Sequence, residues 1–445
     1  MKHLLDGSRS HLFLSLTFFI MTIVVPRAQA AANNLPSHLA ALIEIADDKG
    51  MLTDTGAVIL EREVDIFENQ DGTCILRKKI AGMVLDQKSA SDYGQITSSY
   101  NSHFEEISLD YARAYVDQRE VLTVSKDAVQ IKSLPSLNGE KTYSDIRALT
   151  FSLPGLAPGT VFEYQISCKL RPVISGGWSR RFHFHYILSN PFIQQMPRID
   201  AVLKSTITMN LPESSSLNYS LNNTDAALKI EKKSQRVIYS WGLENLAPVV
   251  PELNMPTMDH LVPSISASTF DGWNHIDQWA FDQFRPSCAP TPRIEKLAHS
   301  LTEQIDDSAG KIKAVYKYVQ SNIEYVMADF GRSGYKPHPA GEVLKNGYGD
   351  CKDQTVLVIS MLKTLGINAY PALMIPFPYR NVDKKIPTHA FGHAIAYIPM
   401  KSGDIWIDTT SNSRFPVLFW VNQDRSAFIV DGKGGHFRKT PKINE

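Results

Sequence analysis

The hydrophobic period of this chain changes once, from two to 3.6, and that change divides what it can fold into. From Ala57 to about Trp241, apolar residues come in short alternating runs. The first is Val58-Ile-Leu-Glu-Arg-Glu-Val-Asp-Ile-Phe; a hairpin-grade Asp71-Gly72 separates it from the run Cys74 to Ile80. Further runs begin at Val121, Ala128, Val161, Phe182, Leu203 and Arg236. Many short strands without intervening helices predict antiparallel sheets packed as one or two sandwiches. Pro191 and Pro197 interrupt the pattern between Ser189 and Asp200, which suggests a division there. Beyond Pro248 to Pro263 the helical period takes over, with Trp273, Ile276, Ala280 and Phe284 on one face. Thr291-Pro292 is a helix start, followed by an apolar stripe at Ile294, Leu297, Ala298, Leu301 and Ile305. Further helices are expected over 309–322 and from Cys351 to Leu365, where Gly366 stops the last one. Strand-like runs at Ile367 to Met374, His393 to Ile398 and Ile405 to Asp408 follow. The expected class is α+β, an N-terminal antiparallel β-sandwich region followed by an α+β domain. The expected division is 31–190 β-rich, 191–262 a second β unit or a continuation of the sandwich, and 263–445 the α+β domain.

Residues 1–30 read as an export signal: Lys2 and Arg9 precede an apolar stretch from Leu12 to Val25, Pro26 ends it, and Ala28-Gln29-Ala30 offers a cleavage site before Ala31. The alternative, an uncleaved anchor, is disfavoured because about fourteen apolar residues fall short of the roughly 20 a spanning helix needs. No later stretch approaches that length, so the mature chain is expected to have no integral membrane segment and to be periplasmic or secreted. Lys+Arg and Asp+Glu stand at 46 each, and losing the leader leaves the remainder slightly acidic, so no charge surplus recruits nucleic acid. Four cysteines, Cys74, Cys168, Cys288 and Cys351, are sparse for a disulfide scaffold. Cys74 and Cys168 sit in β-like runs and could pair across strands.

Cys351 has different surroundings. Asp350 is placed to cap the helix that Cys351 opens, a capping rather than a proton-transfer role worth about 0.5–2 kcal/mol. A helix N-terminus favours the thiolate, the nucleophilic form. His393 opens one strand and Asp408 ends the next, and adjacent antiparallel strands can bring those side chains together. The implied unit is Cys351 as nucleophile, His393 as base and then acid, and Asp408 as the group that fixes the imidazole. His389, four residues before His393, is a rival base in a loop. His183 and His185 alternate in a strand but lack a third metal ligand nearby. Gly432-Lys-Gly-Gly lacks Walker spacing and reads as a tail loop. Neither a cofactor nor a metal is expected.

Tyr348-Gly-Asp-Cys-Lys-Asp-Gln-Thr, Leu365-Gly-Ile-Asn-Ala-Tyr-Pro-Ala-Leu, Phe391-Gly-His-Ala-Ile and Trp406-Ile-Asp-Thr-Thr together resemble the core of the transglutaminase-like superfamily. The resemblance covers about Pro286 to Pro416. It implies a papain-like α+β domain with a Cys-His-Asp triad at Cys351, His393 and Asp408. Tyr143-Ser-Asp-Ile-Arg, Phe151-Ser-Leu-Pro-Gly-Leu and Gly159-Thr-Val-Phe-Glu-Tyr resemble the β-rich module that precedes such domains in exported bacterial proteins. Gly392 and Thr409 depart from the family's usual Asn before the histidine and Pro after the aspartate; neither removes a catalytic group. The resemblance implies thiol-dependent acyl transfer at amide bonds, by hydrolysis or transglutamination, with a protein or peptidoglycan-peptide substrate in the cell envelope. The competing class is a non-catalytic envelope-binding protein that uses the papain-like domain as a scaffold.

Overall fold

Gly72 takes φ +78° and the Asn69 N–H donates to Thr73 O at 2.8 Å, so Asp71-Gly72 closes a tight loop between strands Ala57–Glu68 and Cys74–Val84. These strands are the centre of an eight-stranded sheet in the computed structural model. It describes residues 34–442 apart from 54–55, 118, 135–141, 193–195, 254 and 330; the leader expected at 1–30 lies outside the described residues. Across the sheet the order is Leu228–Lys233, Arg236–Leu246, Ala201–Pro212, Ala57–Glu68, Cys74–Val84, Val161–Leu170, Glu105–Val116 and Glu120–Thr123. All neighbours are antiparallel except Ala57–Glu68 with Ala201–Pro212, which run parallel.

Two three-stranded sheets cover one face of the large sheet. Gln95–Asn101, Ile146–Ser152 and Gln130–Ser133 bring Ile96, Leu149 and Phe151 onto Ile59, Ile80 and Phe162. Ser179–His183, Ser264–Ser268 and Asn218–Asn222 bring Phe182, Ile265 and Ala267 onto Val64, Leu76 and Ile207. Helix Ser37–Asp48 seals Val58, Leu60 and Leu203 on the opposite face through Leu39. The prolines between Ser189 and Asp200 therefore do not separate two sheets: Ala201–Pro212 lies beside the first strand in the same one. Ser264–Ser268 pairs with Ser179–His183, so the β-rich part reaches past residue 263. The run from Phe182 yields a strand only as far as His183, where the Phe184 N–H turns to Pro263 O.

Helices Trp273–Ser287, Pro292–Thr302, Ser308–Asn322 and Cys351–Thr364 share a core with Ala394, Ala396 and Ile398 of a five-stranded sheet. That sheet runs Ile405–Ile407, His393–Ile398, Tyr370–Met374, Ser426–Ile429, His436–Lys439. Thr291 caps its helix by accepting from the Ile294 N–H, and Gly366 takes φ +71° beyond the last helix. The Gly432 loop cradles a carboxylate of the chain itself: the N–H groups of Asp431, Gly432 and Gly434 donate to buried Asp277 at 3.0, 3.3 and 2.8 Å. This ties helix Trp273–Ser287 to the C-terminal hairpin.

Candidate active site

Cys351 is the first residue of its helix, and the turn before it is tightly held. Asp350 accepts from the N–H groups of Lys352 (3.1 Å) and Asp353 (3.2 Å), and Asp353 accepts from the Asp350 N–H at 3.3 Å, a reciprocal capping box. Asp353 is itself fixed by His338, through its N–H at 2.8 Å and its Nδ1 at 3.0 Å. The free oxygen of Asp350 pairs with the Lys352 ammonium, and both side chains are buried. Burial disfavours the Lys352 charge, yet the nearby Asp350 and Cys351 outweigh it and hold the ammonium above its ordinary pKa.

All four cysteines are free thiols, and Cys351 alone keeps partial solvent access. Burial pushes Cys74 and Cys288 up to about 12 and Cys168 to about 11, which leaves them protonated and unreactive. Cys74 and Cys168 lie on neighbouring strands but not opposite each other: Cys74 faces Leu170 and Cys168 faces Leu76.

His393 opens the strand between Tyr370–Met374 and Ile405–Ile407. Ala396 pairs with Ile407, so the residue after that strand, Asp408, lies diagonally across from His393 on the same face. The gap is bridged by a hydrogen bond from His393 Nε2 to Asp408 Oδ2 at 3.1 Å. The other ring nitrogen is left for Cys351, whose side chain lies near enough to raise the imidazole pKa. Burial alone would lower the imidazole pKa, but the bond to Asp408 and the nearby Cys351 raise it to about 10. Asp408 is buried with four donors around it: His393, Asn422 Nδ2 at 2.8 Å, and the Thr410 N–H and hydroxyl at 3.0 and 2.7 Å. Burial works against its charge, and these donors, His393 foremost, hold it below the usual carboxylate range. Thr355, one turn into the helix, lies within reach of both Cys351 O (2.8 Å) and Ala394 O (3.1 Å), clipping the Cys351 helix to the His393 strand.

His389 is not part of this group. Its ring sits among Trp279, Tyr335 and Phe270, with Nδ1 3.4 Å from Ser179 Oγ. Burial, helped by Arg180, pulls its pKa down to about 4, so it is neutral at physiological pH. His183 hydrogen-bonds Asp259 at 3.2 Å, and His185 is buried against Ala247 O at 2.9 Å. Among the described residues no three His, Cys, Asp or Glu side chains converge as a metal site. None of their helices is long and apolar enough to cross a membrane. Asn422, Thr355 and the Asp350–Lys352 pair were not anticipated from the sequence. Thr410 lay inside a quoted motif and could have been read as an Asx-turn hydroxyl; Asn422 belongs to a short 3-10 turn that carries no pattern.

The raised imidazole pKa makes stability depend on pH. Below about 6.5 His393 is protonated in the folded and unfolded chain alike; between about 6.5 and about 10 only the folded protein holds the proton. Its contribution is therefore complete at the acid end and lost as pH rises through about 10. Melting temperature should fall more steeply over that interval in the native protein than in Asp408→Asn, which removes the anionic partner. Parallel curves would show that His393 is not held cationic by Asp408.

Residues 71–250 match a domain of unknown function, DUF3857, and residues 295–408 match the transglutaminase-like superfamily. A candidate protease of known structure from Parabacteroides distasonis ATCC 8503 superposes with a TM-score of 0.66 at 15% identity, over 87% of this chain and 72% of that one; this likeness is one of fold. A candidate cysteine protease from Cytophaga hutchinsonii, 14% identical over 78% of each chain, gives a TM-score of 0.21, too low to bear on the fold. No curated protein matches the sequence.

Proposed function

We propose, from the premise that residues 295–408 are a transglutaminase-like core behind a β-rich domain of unknown function, that this chain is an exported thiol-dependent acyl-transfer enzyme acting on amide bonds. The observation that carries this reading is that His393, hydrogen-bonded to buried Asp408, also lies near enough to the Cys351 side chain at its helix start to be perturbed by it.

Cys351 Sγ attacks the amide carbonyl carbon as a thiolate, with His393 as the imidazolium beside it. The tetrahedral oxyanion collapses, the C–N bond breaks, and the proton on His393 goes to the departing amine. A thioester on Cys351 remains. Neutral His393 then takes a proton from water as the water attacks the thioester; collapse expels the Cys351 thiolate and releases a carboxylic acid. Asp408 keeps the ring turned so that Nε2 stays occupied and the other nitrogen faces the sulfur. Because Cys351 keeps solvent access, water can act as the second nucleophile, which favours hydrolysis of a peptide or isopeptide bond over transfer to another amine. The substrate class is protein or peptidoglycan peptide of the cell envelope.

The test is to incubate the purified protein with cell-envelope extract beside its Cys351→Ala form. Peptides released only by the native protein support hydrolysis. New crosslinks without released peptides would make it a crosslinking enzyme, and identical extracts would remove the enzymatic reading.

A further inference from the structure

The core-facing side of the large sheet is interrupted by charge. Along its three central strands the inward residues run Arg62, Val64, Ile66; Cys74, Leu76, Lys78, Ile80; and Tyr164, Ile166, Cys168. All but two of these are cysteine, aliphatic or aromatic. Arg62 stands opposite Ile80 and Lys78 opposite Val64, so the two cations are diagonal neighbours between the two small covering sheets. Arginine and lysine on an inward sheet face are normally paired with a carboxylate. Here neither has a carboxylate within ion-pair distance among the described residues. Among the described residues the side chain of Arg62, 8% exposed, makes one long hydrogen bond, 3.4 Å to Ser205 Oγ.

Both cations line a cavity of about 200 Å³ together with Tyr164, Tyr186, Thr97 and His185, and among the described residues no carboxylate lines it. Lys78 is exposed, at the open mouth of the cavity, and the protein atoms packed around it lower its pKa. His185 supplies an independent observation. It is 4% exposed, its Nε2 donates to Ala247 O at 2.9 Å, and its buried Nδ1 has no partner. With Nε2 carrying the proton, Nδ1 is an acceptor in search of a donor.

We infer that this cavity in the β-rich domain binds a small oxyanion that also carries a hydroxyl, its negative charges held by Arg62 and Lys78 and its O–H donated to His185 Nδ1. Hydrogen phosphate has this chemistry, two charges and one O–H donor, and so does a small hydroxy dicarboxylic acid. A cavity below the 300–1,000 Å³ of drug-sized ligand sites suits an anion of that size or the end group of a longer molecule.

The experiment measures the melting temperature of the full chain, prepared without phosphate, against inorganic phosphate, sulfate and malate at constant ionic strength. Phosphate should stabilise saturably, with sulfate, which has no hydroxyl at neutral pH, at least about tenfold weaker. A response to malate in place of phosphate identifies the hydroxy acid as the ligand type and leaves the site standing. Arg62→Met and Lys78→Met should each weaken binding about tenfold, a charge-assisted hydrogen bond's worth. Ligand-free, Arg62→Met should melt at an unchanged or higher temperature, because an uncompensated buried charge is gone, and Lys78→Met, at an exposed position, at an unchanged one. Lys78→Met keeps the test alive should Arg62→Met fold poorly, since Lys78 is accessible. Equal stabilisation by sulfate and phosphate, meaning an adventitious ion only, overturns the inference. So does the absence of a saturable response to phosphate and malate, undiminished binding in Lys78→Met, or a lower ligand-free melting temperature in Lys78→Met.

Discussion

Replacing Cys351 with Ala, or His393 with Ala, is expected to lower turnover by about 10⁴-fold or more, with either change alone costing nearly as much as both. Nucleophile and base act as one unit, so the second substitution has little left to remove. The fold should survive both. Cys351 keeps partial solvent access at a helix start, and Asp408, deprived of His393, still accepts from Asn422 and Thr410. Kinetics on any amide substrate found in envelope extracts, with melting curves as the control, provide the check. Near-normal activity in His393→Ala would remove it as the base; loss of activity in His389→Ala alongside would point instead to the aromatic-caged ring.

Asp350→Ala should be the most damaging change to stability near the site. The cap is worth about 0.5–2 kcal/mol by itself. The substitution also leaves the Lys352 ammonium, 10% exposed, without its partner, and breaking a buried pair from one side costs about 3–5 kcal/mol. Asp350→Ala combined with Lys352→Met removes both charges and should recover most of the second loss. Denaturant unfolding of the native chain and the two variants decides it. A cost for Asp350→Ala no greater than that of a lost cap, with no recovery in the double variant, would mean that the pair is screened by water.

This second effect was beyond the sequence. Asp350 as a cap follows from its place before Cys351, and the structure has it there, but the spacing i to i+2 gave no reason to expect Lys352 to fold back onto it in a buried pair. The same division holds elsewhere. Helices with a hydroxyl or carboxylate at the start and glycine at the end were legible because those signals are local, as at Thr291 and Gly366. The hairpin at Asp71-Gly72 was legible for the same reason. The parallel pairing of Arg62 with Ser205, 143 residues apart, was not: hydrophobic alternation says which face is buried but nothing of which distant strand lies alongside. Helix Gln87–Tyr93 was missed because it is only seven residues long and depends on an Asp86 cap and its packing against the sheet. In the site, Cys351, His393 and Asp408 stood out by chemistry and order. Asn422 and Thr355 are ordinary polar residues whose position matters only once the helix and strands have met.

The central claim, that Cys351 is a nucleophile activated by His393, is tested most directly by the pH dependence of its alkylation, followed residue by residue by mass mapping of a brief iodoacetamide pulse. Cys351 should be modified rapidly and selectively at pH 6 to 7, with Cys74, Cys168 and Cys288 untouched in the folded protein, and His393→Ala should abolish the reactivity at that pH. Labelling of Cys351 that is slow at neutral pH, rises only under alkaline conditions and is the same with and without His393 would contradict the account.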